Sequence, residues 1–276
     1  MSARQPEAAA SRQQWVSRPA PALREWVSHY WLSLDNTSLA HGILPDGTVD
    51  WVVSVAPSAC RIEVFGTTTT RTEVALETGA SYLGIRFHPG QSRHFVDAPA
   101  ALLVDACVPA ADVSRLRLDP VADLLPGGDP CATLDTLLMR HLDRHPPRPL
   151  ALDTAVQRLA AGRTGARLTD LAHACGFSLR QFERLFRDAV GLSPRLFAEI
   201  ARFQRAAHWL ARTDLPLAEI AAALDYADQS HLTRAFTRFA GQPPARARRD
   251  VAFVQDPTRA PGETVNAFNN LMEYPK

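Results

Sequence analysis

The sequence predicts an α+β chain of two unlike domains: a β-rich one, then an all-α one built from two repeated helix pairs joined by a linker helix. Three observations predict it. Short runs of β-branched and aromatic residues, punctuated by turns, fill the first half. The strand signal stops at PPRP, residues 146–149, and helical periodicity runs from Leu150 to about Arg249. Within that second half one amphipathic pattern is written twice. QFERLFRDAVGLSP, from Gln181, and HLTRAFTRFAGQPP, from His231, share an apolar residue at their second position, Arg at the fourth, Phe at the sixth, Gly at the eleventh and Pro at the fourteenth.

Taken in order, residues 1–14 read as a disordered lead. From Trp15 to about Val113, HYWLSL, VDWVVSV, RIEVF, EVALE and YLGIRF read as strands of a small barrel or sandwich, with PDG (Pro45–Gly47) and HPG (His88–Gly90) as turns between them. Ser92–Val96 and Pro99–Leu103 read as short helices, and Leu118–Pro130 as a loop or broken helix. Thr133–His145 is an amphipathic helix with Leu134, Leu137, Leu138 and Leu142 on one face; that face either makes a dimer contact or covers the sheet. Prolines cannot continue a helix and stiffen a linker, so PPRP marks the domain boundary. The expected limits are 15–148 for the first domain, 149–250 for the second and 251–276 for a polar, Pro-containing tail.

The repeat is longer than its two opening segments. Leu168, Leu171, Ala172 and Cys175 fall at i, i+3, i+4 and i+7, as do Leu217, Ile220, Ala221 and Leu224. A short turn follows each set, then a second apolar stripe: Phe182, Leu185, Phe186 and Ala189 in one copy, Leu232, Ala235, Phe236 and Phe239 in the other. Helix, tight turn, amphipathic helix is the helix-turn-helix pattern, predicted at 168–190 and 217–239. The turn requires a residue that tolerates positive φ, supplied by Gly176 in the first copy and by Asp225 in the second. Ser178 and Asp228 stand where an N-cap is needed. Cys175 aligns with Leu224 and reads as a buried core thiol. Pro194–Arg212, capped by Ser193, is a spacer of 19 residues. At about 1.5 Å per residue it spans roughly 28 Å, near the roughly 34 Å between successive major-groove openings on one face of a duplex.

Charge is unevenly distributed. Residues 151–250 hold 15 Arg against 10 acidic residues, whereas residues 1–150 hold 13 Arg against 16. A basic segment beside an acidic one suggests a polyanion-binding domain and a domain with another task. Every basic residue except Lys276 is Arg, which favours planar, bidentate contacts to phosphate or guanine. Cys60, Cys107, Cys131 and Cys175 form no CxxC pair, which argues against a zinc knuckle or redox dithiol. The opening MSARQPEAAASRQQ lacks the apolar core of a signal peptide. No apolar run reaches the roughly 18 residues of a membrane span, so a cytoplasmic, reduced protein is expected.

LAHACGFSLRQFERLFRDAVGLSP, RFQRAAHWLA and IAAALDYADQSHLTRAFTRFAGQPPARARR together resemble the DNA-binding domain of the AraC/XylS family of transcriptional regulators. The resemblance covers Leu150–Arg249; Asp225 departs from it, standing where the family usually has Gly. It implies that Arg180, Gln181, Arg184 and Arg187, with Gln229, Ser230, Thr233, Arg234 and Arg238, face DNA. Arg suits guanine, Gln suits adenine, and Ser or Thr suits phosphate or either base. Arg195 and Arg246 follow the repeats as phosphate clamps, which position without specifying. An arginine on an outer helix face is ordinarily just solvated; alignment across two copies singles out Arg184 and Arg234. Phe182, Phe186, Phe236 and Phe239 read as core.

ILPDGTVDWVVSV, VFGTTT and YLGIRFHPGQSRHFVDAPA resemble the β-rich sensor domains found ahead of such regulators. That implies a cupin-like barrel that binds a small-molecule effector or mediates homodimerisation, with RNA polymerase as a further partner. Trp31, Trp51, Arg86 and His88 are its candidate effector-facing residues, the tryptophans also reading as plain core. The expected protein is a regulator, an activator by type, with no catalytic residues and no cofactor. The alternatives are a cupin-type metal-dependent enzyme and an adaptor controlled by a partner protein. The first would need His41, His88, His94 and Asp46 to converge, and their spacing matches no metal motif.

Overall fold

The computed structural model describes residues 13–125, 129–162 and 167–248; the tail and most of the lead lie outside them. Among the described residues the first domain holds eight strands: β1 (Gln13–Ser17), β2 (Val27–Leu34), β3 (Ala40–Ile43), β4 (Asp50–Val55), β5 (Cys60–Phe65), β6 (Thr72–Ala75), β7 (Ser81–Phe87) and β8 (Cys107–Pro109). Six form one antiparallel sheet in the order β1-β2-β7-β4-β5-β8, and β3 pairs with β6 in a separate two-stranded sheet. Each of the five runs read as strands overlaps one, in order β2, β4, β5, β6 and β7, with the ends displaced by up to two residues. Two residues of the expected lead, Gln13 and Gln14, belong to β1, because they pair with Leu34 and Ser33 of β2. The short β3 and β8 carry too little β-branched character to announce themselves.

Alternation gives the large sheet two different faces. Tyr30, Leu32, Trp51, Val53, Val64, Leu83, Ile85 and Phe87 point to one face and are buried in a single apolar cluster. That face is covered by α1 (Ala110–Val113), α2 (Asp119–Ala122) and α3 (Pro130–Arg144), by Leu23 of a 3-10 turn at Pro21–Leu23, and by Phe95 and Val96 after a second such turn at Ser92–His94. Leu134, Leu138 and Leu142 of α3 are buried in the cluster, and the Tyr30 hydroxyl donates to Asp135 at 2.8 Å. The leucine face of α3 therefore covers the sheet.

The second domain comprises α4 (Asp153–Ala160), α5 (Leu168–Ala174), α6 (Leu179–Val190), α7 (Pro194–Arg212), α8 (Leu217–Ala223), α9 (Gln229–Ala240) and α10 (Pro244–Ala247). The pairs α5–α6 and α8–α9 coincide with the two repeats. Gly176 and Asp225 have φ of 76° and 57°, so aspartate adopts the left-handed turn that glycine takes in the first copy. Ser178, Ser193 and Asp228 cap α6, α7 and α9. The spacer α7 joins both units through aromatic rings. Phe197 meets Phe186 of α6 at 5.5 Å; Phe203 meets Phe236 and Phe239 of α9 at 5.2 and 5.3 Å. Cys175 is only half-buried, at the edge of this core, because it ends α5 where the chain turns outward.

The proline-rich boundary does not leave the domains apart. Asp153 of α4 accepts from Arg93 at 2.8 Å and from Gln91 at 3.3 Å. The PDG turn lies on α7: Gln204 donates to the Pro45 carbonyl, and Gly47 faces the Phe197 ring so closely that a Cβ would sit 2.7 Å from it. Leu44, just before that turn, is buried in the helical core. At the end of α9, the Phe239 carbonyl accepts from the Arg71 amide at 3.1 Å. At the end of α6, Gly191 has φ of 91°, and a Cβ there would lie 2.6 Å from Thr67 Oγ1. Gly191→Ala should therefore destabilise the protein by at least the about 1–3 kcal/mol of backbone strain. A lowered urea midpoint would show it; an unchanged midpoint would mean that this junction yields freely.

Candidate nucleic-acid interface

From 182 to 190 and from 232 to 240, buried, half-buried and exposed positions alternate identically, residue for residue. Phe182, Phe186, Phe236 and Phe239 are at most 1% exposed and fill the core, as their spacing predicts. The same wheel leaves Arg180, Gln181, Arg184 and Arg187 exposed on α6, and Gln229, Ser230, Arg234 and Arg238 exposed on α9, with Thr233 half-buried. Arg180 and Gln181 stand in the first turn of α6, Gln229 and Ser230 in the first turn of α9, Arg184 and Arg234 near mid-helix, and Arg187 and Arg238 in the last turns.

Contacts within the protein sort these residues. Gln181 is part of the α6 capping box: its Oε1 accepts from the Ser178 amide at 3.1 Å, while Ser178 Oγ accepts from the Gln181 amide at 3.3 Å. Arg184 lies 3.8 Å from Asp188, both well exposed, so that pair holds it weakly. Arg238 reaches back to Glu199 on α7 at 3.0 Å and stacks over Phe239. Arg195 also pairs with Glu199, at 3.3 Å, and Arg246 is exposed on α10. Sequence reasoning missed Glu199 and its neighbour Arg202. Their i+4 and i+7 spacing from Arg195 was the available signal, since it puts all three on one face of α7.

The sheet face opposite the apolar core carries a second polar constellation. Across β2, β7 and β4 the register aligns His29, Arg86 and Asp50. Arg86 donates to Asp50 through Nε at 3.0 Å and through a terminal nitrogen at 2.7 Å; that nitrogen also lies 2.9 Å from Asp46. One row along, Trp31 lies over Gly84, where a Cβ would fall 1.8 Å from the indole. Trp31 and Arg86 thus share a face. Trp51 does not: it is fully buried on the other face against Phe87, so it is core and leaves the effector-facing set. His88 lies beyond the end of β7, its amide bonded to the Trp26 carbonyl at 2.9 Å. Among the described residues no three His, Cys, Asp or Glu side chains group to hold a metal ion, and no helix is long and apolar enough to cross a membrane.

Burial, and then Arg86 and His88, push the His29 pKa down to about 3. Burial, then Arg86, also lowers that of His41. His29 therefore stays neutral in the fold while the unfolded chain takes up its proton near 6.5. Stability should be full above pH 6.5 and fall as the pH drops from there toward about 3. Urea midpoints across that window check this, with His29→Gln flattening part of the slope.

Two capped helix-turn-helix units on one rigid spacer, behind a β-sheet domain, define a double helix-turn-helix protein. Residues 171–250 match the family described as a helix-turn-helix domain, and this C-terminal domain belongs to the AraC type. Residues 16–109 match a family described only as a domain of unknown function, DUF6597. The transcriptional activator NphR of a Rhodococcus species is 35% identical over 85 residues, 31% of this chain and 25% of that protein. The regulator ExsA of Pseudomonas aeruginosa is 30% identical over 83 residues, 30% of each. The chain thus spans under a third of the curated relatives it matches. Among solved structures, an AraC-type regulator from Chromobacterium violaceum is 26% identical, with 36% of this chain and 89% of that one covered and a TM-score of 0.34. ToxT from Vibrio cholerae is 9% identical, covers 86% of this chain and 97% of its own, and has a TM-score of 0.42.

Proposed function

We propose that the protein is a sequence-specific DNA-binding transcriptional regulator in which one subunit reads two successive major-groove openings. The observation that carries this is the duplicated, capped helix-turn-helix with matching exposed faces, held on a 19-residue spacer. Arg180, Arg184 and Arg187 in the first unit, and Gln229, Ser230, Thr233 and Arg234 in the second, are the proposed groove contacts. Gln181 reads a base only by leaving its cap. Arg246 clamps phosphate. The name of NphR as a transcriptional activator favours activation, with RNA polymerase and a second copy of this chain as further partners in the cytoplasm. The protein regulates and does not catalyse.

A small-molecule effector is proposed to enter on the Trp31–Arg86 face of the large sheet. Half-buried Trp31 offers an indole surface there, and the Asp46–Arg86–Asp50 group offers charge. Sequencing the duplex fragments retained by the purified protein tests the DNA reading; a random set would overturn it. Thermal shift with small molecules tests the effector, since a ligand that binds the folded state raises the melting temperature. Loss of that shift in Arg86→Gln would assign it to this face.

A further inference from the structure

A groove of about 560 Å³ lies between α7 and α9, and its rim is arginine: Arg195 and Arg202 from α7, Arg234 and Arg238 from α9. One acidic side chain, Glu199, lies among them, bound to Arg195 at 3.3 Å and to Arg238 at 3.0 Å. Arg202 is half-buried against Tyr226, with its guanidinium 5.4 Å from the ring centre and donating to the Asp225 carbonyl at 3.1 Å. The turn before α9 thus holds Arg202 in place.

The fold fixes which way this groove faces. Phe197 and Gln204 are seven residues apart, two turns, and both meet the β-domain at its PDG turn. Arg195 and Arg202 each stand two residues earlier, about 200° round the helix at 3.6 residues per turn. The arginine side of α7 is therefore turned directly away from the β-domain. The β-domain also meets α6 and α9 at their C-terminal ends, at Gly191 and Phe239, and so lies away from Arg180 and Arg184 and from Gln229, Ser230, Thr233 and Arg234, which occupy the first and middle turns. Arg234 lines the groove and is also one of the proposed base contacts, so the two surfaces adjoin.

We infer that this groove seats the phosphate backbone of one DNA strand where it crosses between the two major-groove openings. In the free protein, Glu199 takes the place of a phosphate between Arg195 and Arg238. Arg195 and Arg202 are seven residues apart, about 10 Å along the helix, the axial rise of about three phosphates of one strand. The duplex exchanges Glu199 for its own phosphates, so Glu199 weakens binding to every sequence, and Arg202 becomes a phosphate contact that carries no sequence information. This assignment rests on the DNA-reading function proposed above and adds to it a sequence-independent contact on the spacer itself.

The test is duplex affinity against salt concentration, on a retained fragment and on a random duplex, for the wild-type chain, Glu199→Gln, Arg202→Ala and Arg202→Lys. Glu199→Gln should tighten both duplexes by about three- to tenfold and steepen the salt dependence. Arg202→Ala should weaken both equally and reduce the logarithmic salt slope by about one. Arg202→Lys keeps the charge and should restore most of that slope even where the stacking on Tyr226 is lost. Unchanged slopes in all three variants, beside a wild-type chain that binds duplex, would overturn the groove assignment alone. A wild-type chain that binds no duplex would overturn both readings.

Discussion

Replacing Phe203 by alanine is expected to lower folding stability by about 3–5 kcal/mol, the usual cost of deleting a fully buried aromatic ring. Phe203 is 0% exposed and touches the rings of both Phe236 and Phe239. Those two residues form the inner side of α9, so the ring joins the spacer to the second recognition helix. Its loss leaves a cavity that the surrounding helices fill only in part. The effect on DNA should arise from the same geometry: with α9 loosened against α7, affinity should fall on the retained fragment more than on random duplex. Chemical denaturation measures the first effect and duplex titration the second. A stability loss under about 1 kcal/mol would mean that the site collapses around the missing ring.

The second large effect is expected from Arg184→Ala combined with Arg234→Ala. Each removes a proposed base contact worth about 1–3 kcal/mol, and the two act on different grooves, so their losses should nearly add. Both side chains are exposed, so helix content and unfolding midpoint should stay close to wild type. Selectivity is the decisive readout. Base readers should lose affinity mainly for the retained fragment, each at its own base pairs. Equal losses on retained and random duplex would reassign both arginines to phosphate.

The helical half was legible because the chain states it twice. The apolar stripes at 168–175 and 217–224 fix two short helices, and the shared Arg, Phe, Gly and Pro positions fix the longer helix after each. Even Asp225 was readable as a turn residue, since few other side chains tolerate φ of 57°. The docking of the two domains was not legible. It depends on the carbonyls of Pro45 and Phe239, the amide of Arg71 and the missing side chains of Gly47 and Gly191, none of which writes a pattern into sequence. The Asp46–Arg86–Asp50 group was hidden for a related reason: its members come from two strands and a turn, and only the β4–β7 register brings Asp50 opposite Arg86. Trp51 was ambiguous because alternation says that two faces exist but not which of them is the core.

The seating of Gly47 on Phe197 also bears on how a chain of this kind can be rebuilt. A foreign sensor placed ahead of Leu150 would bring its own turn to α7, and any side chain at the position of Gly47 would meet the Phe197 ring at 2.7 Å. It would also need a carbonyl where Pro45 offers one to Gln204 and a cation where Arg93 meets Asp153. Exchange of whole front halves at the proline boundary is therefore constrained by a handful of positions around residues 45, 70 and 92. A hybrid that keeps Leu44–Gly47 together with Gln91 and Arg93 retains the seat; one spliced at residues 146–149 alone discards it.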